Sequence, residues 1–502
     1  MKTVGTAVSA AALLVILPVT LPPNAACADG YGVLRTAGSG TDTIWVLNVG
    51  GTRYEMGYWY GLLLADQIAG CLTGLEAALP FSEADYNAAV AAMWNPAYFD
   101  TAAYESELQG MADGCAAGGH PEMTFAFLRK IQLVPDMGEV GCSLFAAWGN
   151  ATVDGHLYQL RNLDWDMGTG VQDYPVVVIH DPDDGHAHAV IGFAGALGVC
   201  GGGMSENGIA QSEIMGYFCD PETLNGIPFP FLLRDILYHD TTLAQALNRV
   251  QTATRTNNYY YGLSGPDGPD ITGRLLLTSN TRCDIYADNE SVNPHPCIYP
   301  SPFHTSLDDV VYWRRHDGGG NEMFYNALNA RYGNIDSVRS VEIAQIVGVS
   351  GTLVSVIYDA TDDECWVAYA NGSDPAHNQG YVHVELTTYN KLDLNIVNEP
   401  WGSVEVDPND PNLPSDLHLA GSEVTLTAMP IGGKGFKQWE IFDPNHPGDA
   451  NHAAVDTNSV ITIAMDTDRQ VTAVFKCGSS LGPLLPIMLG VLGLIVWARR
   501  RL

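Results

Sequence analysis

Basic side chains are scarce in this chain of 502 residues. Lys and Arg number 23 against 57 Asp and Glu, which gives a formal net charge of −34. Nucleic-acid binding needs a basic face that contacts phosphates, and anionic membrane surfaces attract polybasic segments. We therefore expect no nucleic-acid partner and no peripheral attachment to anionic lipid.

Closely spaced cysteine pairs are also missing. None of the ten cysteines lies in a Cys-x-x-Cys pair, the spacing that thiolate zinc sites and thioredoxin-like motifs use. Three histidines, His180, His186 and His188, flank a turn at 181–185. We interpret them as polar residues of an exposed hairpin, and we expect no metal and no cofactor.

The N-terminus has the pattern of an export signal. Lys2 precedes an apolar run at 8–17, and Ala26-Cys27-Ala28 forms a small-x-small cleavage site before Asp29. This order is typical of a secretory signal peptide, which we assign to residues 1–28.

The C-terminus has the pattern of a membrane anchor or sorting tail. Residues 481–498 carry no charge and are followed by Arg499, Arg500 and Arg501. A helix of this length spans about 27 Å, close to the thickness of a bilayer core, and the arginines would stay cytoplasmic. We expect residues 477–502 to form a transmembrane or sorting tail that holds an exported protein at the cell surface or in the periplasm.

Between these ends, the pattern changes from helical to strand-rich at Gly141. Apolar spacing and a capping box at Ser82 predict helices within 54–131, at 54–79, 82–93, 97–111 and 122–131. Beyond Gly141, short apolar runs alternate with turns, and one helix is predicted at 231–250. Helices and strands in separate blocks indicate an α+β fold.

A Gly-Cys pair opens the first predicted strand of the second half. Gly141 has an unhindered carbonyl, and Cys142 carries a thiol that can attack it. After such a cut, the free α-amine of Cys142 has a pKa near 7.7–8.0 and can act as the base for its own thiol. This pair therefore predicts autocleavage between Gly141 and Cys142.

The motif Arg161-Asn162-Leu163-Asp164-Trp165 begins 19 residues after Cys142. Together, residues 141–166 resemble the Cys-type N-terminal-nucleophile (Ntn) hydrolases. The similarity is to the acyl-coenzyme A:6-aminopenicillanic acid acyltransferase-like autoproteolytic family and, more distantly, to the choloylglycine hydrolases. The resemblance implies a four-layer αββα sandwich in which Arg161 steadies the thiolate and Asp164 binds the α-amine.

The resemblance extends to further residues over about 50–390. Asn258 falls where the family has an Asn before a strand, and we predict it as an oxyanion donor. Ser205 stands where choloylglycine hydrolases have an oxyanion Asn, and Asn207 follows in the same loop. Arg314 and Arg315 lie where relatives have an Arg on the substrate side, and we favour Arg315.

A second domain is expected at 391–476. Its alternating strands, including 421–428 and 470–475, resemble the bacterial surface β-repeat domain of the internalin B-repeat type. The predicted organisation is therefore a signal peptide at 1–28, a helical chain at 29–141, a catalytic β chain at 142–390, the β-repeat domain and the tail.

These features predict an exported, autoproteolytic Cys amidase that cleaves an N-acylated small molecule through a thioester. Hydrolysis is favoured over acyl transfer because an external compartment lacks coenzyme A. Two alternatives stay open, a true acyltransferase and an inactive surface scaffold or adhesion protein on the same fold. The sequence does not predict the oligomeric state.

Overall fold

The computed structural model of the chain describes residues 30–138, 141–216, 220–290, 292, 304–314, 320–410, 413–443 and 452–477. The predicted signal peptide, the apolar segment 481–498 and Arg315 lie outside these residues. No helix formed by the described residues is long and apolar enough to cross a membrane. The chain divides into two compact units, the first ending at Leu386 and the second beginning at Thr387.

The described residues of the first unit form two β-sheets, in which the spatial order of the strands differs from their order along the chain. The larger sheet has, in spatial order, β1 (Tyr31–Ala37), β2 (Ile44–Gly51), β5 (Pro175–Pro182), β6 (His188–Phe193), β7 (Gly202–Ser205), β8 (Ala210–Met215), β9 (Tyr259–Asp267), β10 (Asp270–Thr278) and β11 (Cys283–Tyr286). Neighbouring strands are antiparallel except for the parallel pair β2 and β5.

The smaller sheet is antiparallel throughout its described strands. Its order is β12 (Val310–Arg314), β3 (Gly141–Ala147), β4 (Tyr158–Asp164), β13 (Thr352–Asp359), β14 (Glu364–Tyr369) and β15 (Val382–Glu385). Strands β3 and β4 pack against β8 and β9 of the larger sheet, so the two sheets lie face to face.

Helices cover both outer faces. The larger sheet is covered by helices that include α1 (Arg53–Leu63), α2 (Ala65–Ala78), α3 (Glu83–Met93), α4 (Thr101–Ala117), α5 (Phe125–Ile131), α6 (Val134–Met137), α7 (Phe229–His239) and α8 (Leu243–Thr252). The smaller sheet is covered by α9 (Gly320–Asn329) and α10 (Ser337–Val347). The first unit is therefore a four-layer αββα sandwich, the architecture that the sequence resemblance implies.

Two predicted helices are each broken in two. The predicted helix at 54–79 is interrupted at Leu64, whose backbone is not helical (φ −123°, ψ 28°). The predicted helix at 231–250 stops at Asp240, whose backbone is extended, and Thr242 opens a new helix with a capping box. Helical periodicity continues across both breaks, so it does not reveal them.

Glycines allow α1 and α4 to cross with their backbones in contact. A Cβ on Gly57 would lie 2.0 Å from the carbonyl oxygen of Glu107, and one on Gly110 would lie 2.0 Å from that of Tyr54. Since real Cβ atoms do not approach backbone so closely, any side chain at these positions would force the helices apart. The helical layer is thus fixed by backbone contact as well as by apolar packing.

The second unit is built from strands, as predicted from its alternating pattern. A five-stranded sheet has the order β18 (Leu417–Leu419), β16 (Tyr389–Val397), β23 (Arg469–Lys476), β20 (Gly435–Phe442) and β21 (Ala453–Asp456). A three-stranded sheet contains β17 (Gly402–Asp407), β19 (Glu423–Pro430) and β22 (Val460–Ala464). Val424, Leu426, Trp439 and Phe475 are buried in its own core.

Candidate active site

Cys142 is the second residue of β3 and lies opposite Leu163 of β4. Successive side chains of a strand point to opposite faces. Accordingly, Cys142 and Leu144 belong to the core between the sheets, while Phe145 belongs to the core beneath α9 and α10. The thiol is therefore buried inside the sandwich.

Arg161 lies on the same inner face as Cys142. It pairs with Leu144, two residues along β3 from the cysteine, and its side chain is fully buried. Burial raises the pKa of the Cys142 thiol to about 12, and the positive charge of Arg161 acts in the opposite direction. The structure thus brings together the predicted nucleophile and the predicted thiolate-stabilising residue.

A buried carboxylate, Glu213 on β8, pairs with Arg161. The Nη2 atom of Arg161 lies 2.9 Å from Oε2 of Glu213 and 3.0 Å from the carbonyl oxygen of Cys200. The Nε and Nη1 atoms of Arg161 have no hydrogen-bond partner within the described part of the chain. These two donors can serve a thiolate or a substrate oxygen, because Glu213 occupies only the Nη2 nitrogen of Arg161.

Sequence reasoning missed Glu213. The residue lies in β8, 52 positions from its partner, and nothing in the local pattern links the two. All six residues of β8 are buried, but three of them are polar, so the sequence alone does not mark this strand as part of the core. An ionised group in such a buried position requires a partner.

Gly202 allows the larger sheet to approach this pair. Its φ is +128°, a conformation that side chains disfavour, and a Cβ there would lie 1.9 Å from the hydroxyl of Tyr358 and 3.5 Å from Cδ of Arg161. Position 202, two residues after Cys200, therefore has to be glycine for Tyr358 and Arg161 to keep their places.

Asp164 ends β4 on the other face of the strand. It lies opposite Gly141 and accepts a 2.7 Å hydrogen bond from Oγ1 of Thr352 on β13. The carboxylate is thereby held next to the peptide bond that the sequence predicts to be cut. Arg161 and Asp164, three positions apart, flank the start of β3 from opposite sides.

An apolar cavity of about 80 Å³ adjoins the Arg161–Glu213 pair. Leu163, which lies opposite Cys142, and Arg161 form part of its wall. Most of the other lining residues are apolar and come from the helical layer, the turn after β4 and the end of β6 with its following loop: they include Cys71, Leu72, Leu75, Ile131, Val134, Pro135, Val171, Phe193, Ala194, Phe229 and Pro230. Such a space suits an aliphatic or aromatic group whose polar end lies near the arginine.

Asn258 is buried immediately before β9. Its Nδ2 atom lies 3.3 Å from the carbonyl oxygen of Asp220 and 3.2 Å from Oε1 of Glu222, and its backbone carbonyl accepts from the Gly216 amide. The amide hydrogens therefore point to the 220–222 loop in this structure. The predicted role as an oxyanion donor is not supported by a contact with Cys142.

Ser205 and Asn207 are not brought to the nucleophile. Their turn lies beside Ala360, since a Cβ on Gly208 would be 3.2 Å from the Ala360 carbonyl. Ala360 in turn bonds Leu157, just before β4 begins, whereas Cys142 lies at the opposite end of that strand. Leu163, the partner of Cys142, is six residues from Leu157, and at about 3.3 Å per residue the separation is roughly 20 Å along the sheet. The loop resemblance did not indicate which end of the sheet the turn occupies.

The sequence indicates two candidates for the arginine on the substrate side, Arg314 and Arg315. Arg314 lies opposite Ser143 on the outer face of the smaller sheet, and its Nε donates to the carbonyl of Val347 at 3.0 Å. Arg315 lies outside the described residues. Arg314 is not among the residues that line the cavity.

Two groups of side chains have ligand types that metals use. His156, Asp359 and Asp362 form one, and Glu364, His383 and Glu385 form the other. In the first, Nδ1 of His156 lies 3.0 Å from Oδ2 of Asp359, so a hydrogen bond already accounts for the approach. In the second, His383 bonds Glu364 in the same way.

The hairpin that carries His180, His186 and His188 is predicted to be exposed, and the structure contradicts this prediction. His180 and His188 are fully buried, with stacked rings 4.9 Å apart, and only His186 is partly exposed. They face a charged cluster in which Arg234 donates to Glu107 at 2.7 Å. Burial and the nearby arginine lower the pKa values of both buried rings, which favours neutral histidines. The prediction failed because the helical layer covers this edge of the hairpin.

Comparison with known proteins gives relatives of low identity. No known family profile matches the chain. It is 27% identical to Protein dcd1B of Dictyostelium discoideum over 381 residues, covering 68% of this chain and 72% of that protein. It is also 27% identical to Protein dcd1A of the same organism over 404 residues, covering 72% of this chain and 88% of that protein.

Two solved structures are similar at a low level. A Caenorhabditis elegans N-acylethanolamine-hydrolyzing acid amidase ortholog aligns with a TM-score of 0.34 and 15% identity, covering 48% of this chain and 99% of that one. A mutant of the conjugated bile acid hydrolase from Clostridium perfringens aligns with a TM-score of 0.30 and 10% identity, covering 56% of this chain and 97% of that one. Because both TM-scores are low, the fold rests on the packed sheets and helical layers described above.

Proposed function

We propose that this protein is an exported Cys-type Ntn hydrolase that first cuts its own chain at Gly141–Cys142 and then hydrolyses the amide bond of an N-acylated small molecule. The observation that carries the proposal is the placement of Cys142. It is the second residue of β3, shares an inner face with Arg161 of the buried Arg161–Glu213 pair, and lies opposite Leu163, which lines the apolar cavity.

The self-cleavage follows from the chemistry of the Gly-Cys bond. The Cys142 thiol attacks the Gly141 carbonyl carbon, the carbon–nitrogen bond breaks and a thioester forms, while the thiol proton moves to the released amine. Water then attacks the thioester, which frees the Gly141 carboxylate and restores the thiol. The products are a new C-terminus at Gly141 and an N-terminal cysteine.

The α-amine created by the cut supplies the base that the described site lacks. It takes the proton of the Cys142 thiol, and the thiolate attacks the substrate acyl carbon. The amine then passes the proton to the leaving amine of the substrate. Water resolves the thioester by the same route, with its proton taken by the α-amine and the thiol as leaving group.

The surrounding residues have separate roles in this cycle. Arg161 favours the thiolate because a guanidinium lowers the free energy of a nearby anion. Asp164, held by Thr352 across from Gly141, orients the α-amine. The free Nε and Nη1 hydrogens of Arg161 are suitable donors for the developing oxyanion.

The cavity indicates the substrate class. Its mainly apolar wall suits the acyl part of the substrate, and the arginine at its edge suits the carbonyl. The amine part would extend away from the cavity. The proposed substrates are therefore N-acyl amides with an apolar acyl group.

The proposed location rests on the two chain ends. The signal-like segment 1–28 and the uncharged segment 481–498 with its three arginines support export and attachment to a membrane or cell surface. In this proposal the second unit is a spacer between the enzyme and the tail. Deleting residues 481–502 should release the protein into the medium, and unchanged fractionation of the truncated protein would contradict attachment.

N-terminal sequencing of purified protein tests the cut. The wild type should yield a second N-terminus that reads Cys-Ser-Leu-Phe, and Cys142→Ala should remain one chain. Cys365→Ala is a matched control, since Cys365 is equally buried but lies on β14 away from the cavity. The cut protein should hydrolyse members of an N-acyl amide panel, and a thiol-directed probe should label Cys142.

Other outcomes separate the alternatives. An uncut chain that still hydrolyses amides would contradict the α-amine as base. An uncut and inactive wild type would favour the surface scaffold. Transfer of the acyl group to an added amine, faster than to water, would favour the acyltransferase.

A further inference from the structure

Asp136 is a buried carboxylate five residues before the predicted cut, and the mechanism above does not use it. It lies in the short helix α6. Val134 and Pro135 of this helix, and Gly138 directly after it, line the apolar cavity. Its exposed fraction is only 2%. A buried ionisable group is costly unless it is fully hydrogen-bonded, so its contacts identify what it holds.

The contacts of Asp136 join three separate elements. Its Oδ1 accepts from Oγ1 of Thr256 at 2.5 Å and from the hydroxyl of Tyr259 at 2.9 Å. Its Oδ2 accepts from the backbone amide of Phe229 at 3.1 Å, and its carbonyl accepts from Nδ2 of Asn257 at 2.8 Å. The carboxylate thus ties α6 to the start of α7 and to the start of β9.

Each of these elements borders the candidate site. Phe229, whose amide bonds Asp136, lines the same cavity as α6. The Phe229 ring lies 4.8 Å from the ring of Tyr259, measured between centroids. Tyr259 pairs with Met215 on β8, two residues beyond Glu213. The clamp, defined here as Asp136 with Thr256, Asn257, Tyr259 and the Phe229 amide, therefore holds together segments that line the same cavity as Arg161 and Glu213.

The clamp joins residues on both sides of the predicted cut, so it bears on what happens to the chain after cleavage. A cut at Gly141 would release the end of the helical chain, and Asp136 is close to that end. Tertiary hydrogen bonds hold Asp136 on residues 229–259, which follow the cut, so they persist when the chain is severed. The segment 134–138 would then stay in place as a wall of the mature site.

We infer that Asp136 is a positioning residue that aligns the segment before the cut for self-cleavage and afterwards holds that segment as one wall of the acyl cavity. This inference rests on the proposed function. Two readouts follow from it, the rate of the cut in the precursor and the KM for the acyl substrate in the mature enzyme.

Asp136→Asn tests the clamp at constant size. An amide replaces one acceptor oxygen by a donor. If this donor faces the Phe229 amide, that hydrogen bond breaks, and if it faces Thr256 and Tyr259, both hydroxyls must turn from donors into acceptors. We expect the rate constant of self-cleavage to fall at least tenfold. In protein that has been allowed to finish cutting, KM for an apolar N-acyl amide should rise about tenfold while kcat stays within about twofold.

Thr256 offers a matched pair of variants. Thr256→Ser keeps the hydroxyl and should behave like the wild type, whereas Thr256→Val removes it at similar volume and should reproduce the Asp136→Asn effects. Tyr259→Phe removes the other hydroxyl and should act in the same direction. Asp336→Asn is the control, because Asp336 caps α10 in the opposite helical layer and Asn is an equally good cap.

The outcomes distinguish this inference from the proposed function. If the wild type neither cuts nor hydrolyses amides, both fail. If it does both, but Asp136→Asn and Thr256→Val match it in cutting rate and KM, only the clamp is refuted. If Asp136→Asn does not fold, the Thr256 pair and Tyr259→Phe decide, and equal behaviour of Thr256→Ser and Thr256→Val refutes the clamp.

Discussion

Glu213→Gln probes the buried ion pair at the centre of the candidate site. Arg161 and Glu213 are both about 1% exposed, and their closest atoms are 2.9 Å apart. The substitution keeps the shape of the side chain but removes its charge. Arg161 is then left as a buried cation between two neutral acceptors, the Cys200 carbonyl and the new side-chain amide.

The substitution is expected to have two effects of opposite sign on the free energy of unfolding. Breaking a buried pair from one side costs about 3–5 kcal/mol, and a neutral hydrogen bond from Gln recovers about 1 kcal/mol. We therefore expect the free energy of unfolding to fall by about 2–4 kcal/mol. The pKa of the Cys142 thiol should fall as well, because Glu213 raises it and Arg161 lowers it.

Urea unfolding measures the stability, and the pH dependence of Cys142 alkylation, followed by peptide mass spectrometry, measures the thiol pKa. Glu322→Gln on the exposed side of α9 is the control and should change stability by less than about 0.5 kcal/mol. The double variant Arg161→Met/Glu213→Gln removes both charges and should be more stable than Glu213→Gln alone. A double variant no more stable than Glu213→Gln, or an unchanged thiol pKa, would refute the reasoning.

Three further predictions concern other parts of the fold. Gly202→Ala should destabilise the protein by about 2–4 kcal/mol in urea unfolding, because its Cβ would meet the Tyr358 hydroxyl at a positive φ, and Tyr358→Phe should recover part of the loss. His156→Asn should lower stability more at pH 5.5 than at pH 9. The Asp359 hydrogen bond raises the pKa of His156, so its contribution is present below the unfolded pKa and is lost as pH rises through the folded pKa; equal losses at both pH values would contradict this. Trp439→Ala should cost the second unit about 3–5 kcal/mol in thermal unfolding and leave self-cleavage unchanged, and a slower cut would show that the units depend on each other.

Local patterns were sufficient for the strand pair that carries the nucleophile. Short apolar runs predict strands after Gly141, and the two-residue period of a strand places Cys142 and Leu144 on one face. The pairing of β3 with β4 in the structure adds Arg161 to that face. The four-layer architecture followed from the resemblance of the motif. The predicted helix at 97–111 begins later, at Thr101, because Asp100 caps it, and the apolar spacing alone does not mark this start.

Residues that depend on packing between distant elements could not be predicted. Glu213 reaches Arg161 only because the two sheets lie face to face, and Asp136 reaches Thr256 across 120 positions. Conversely, Ser205 and Asn207 matched a family loop in sequence, but their turn lies at the other end of the sheet from Cys142. Sequence similarity of a short loop identifies the turn and leaves its distance from the nucleophile undetermined.

The two faces of β4 separate the tasks that the proposed reaction requires. Arg161 points inward, where it acts on the thiol, and Asp164 lies across from Gly141 and contacts Thr352. In the uncut chain, burial raises the pKa of the Cys142 thiol to about 12, so the thiolate is scarce at neutral pH. In the proposed reaction, cutting the bond at Gly141 would add an amine between these two faces and supply a base to the thiol without rebuilding the site. Burial would then keep the precursor thiol protonated, and the cut itself would generate the base that the mature enzyme needs.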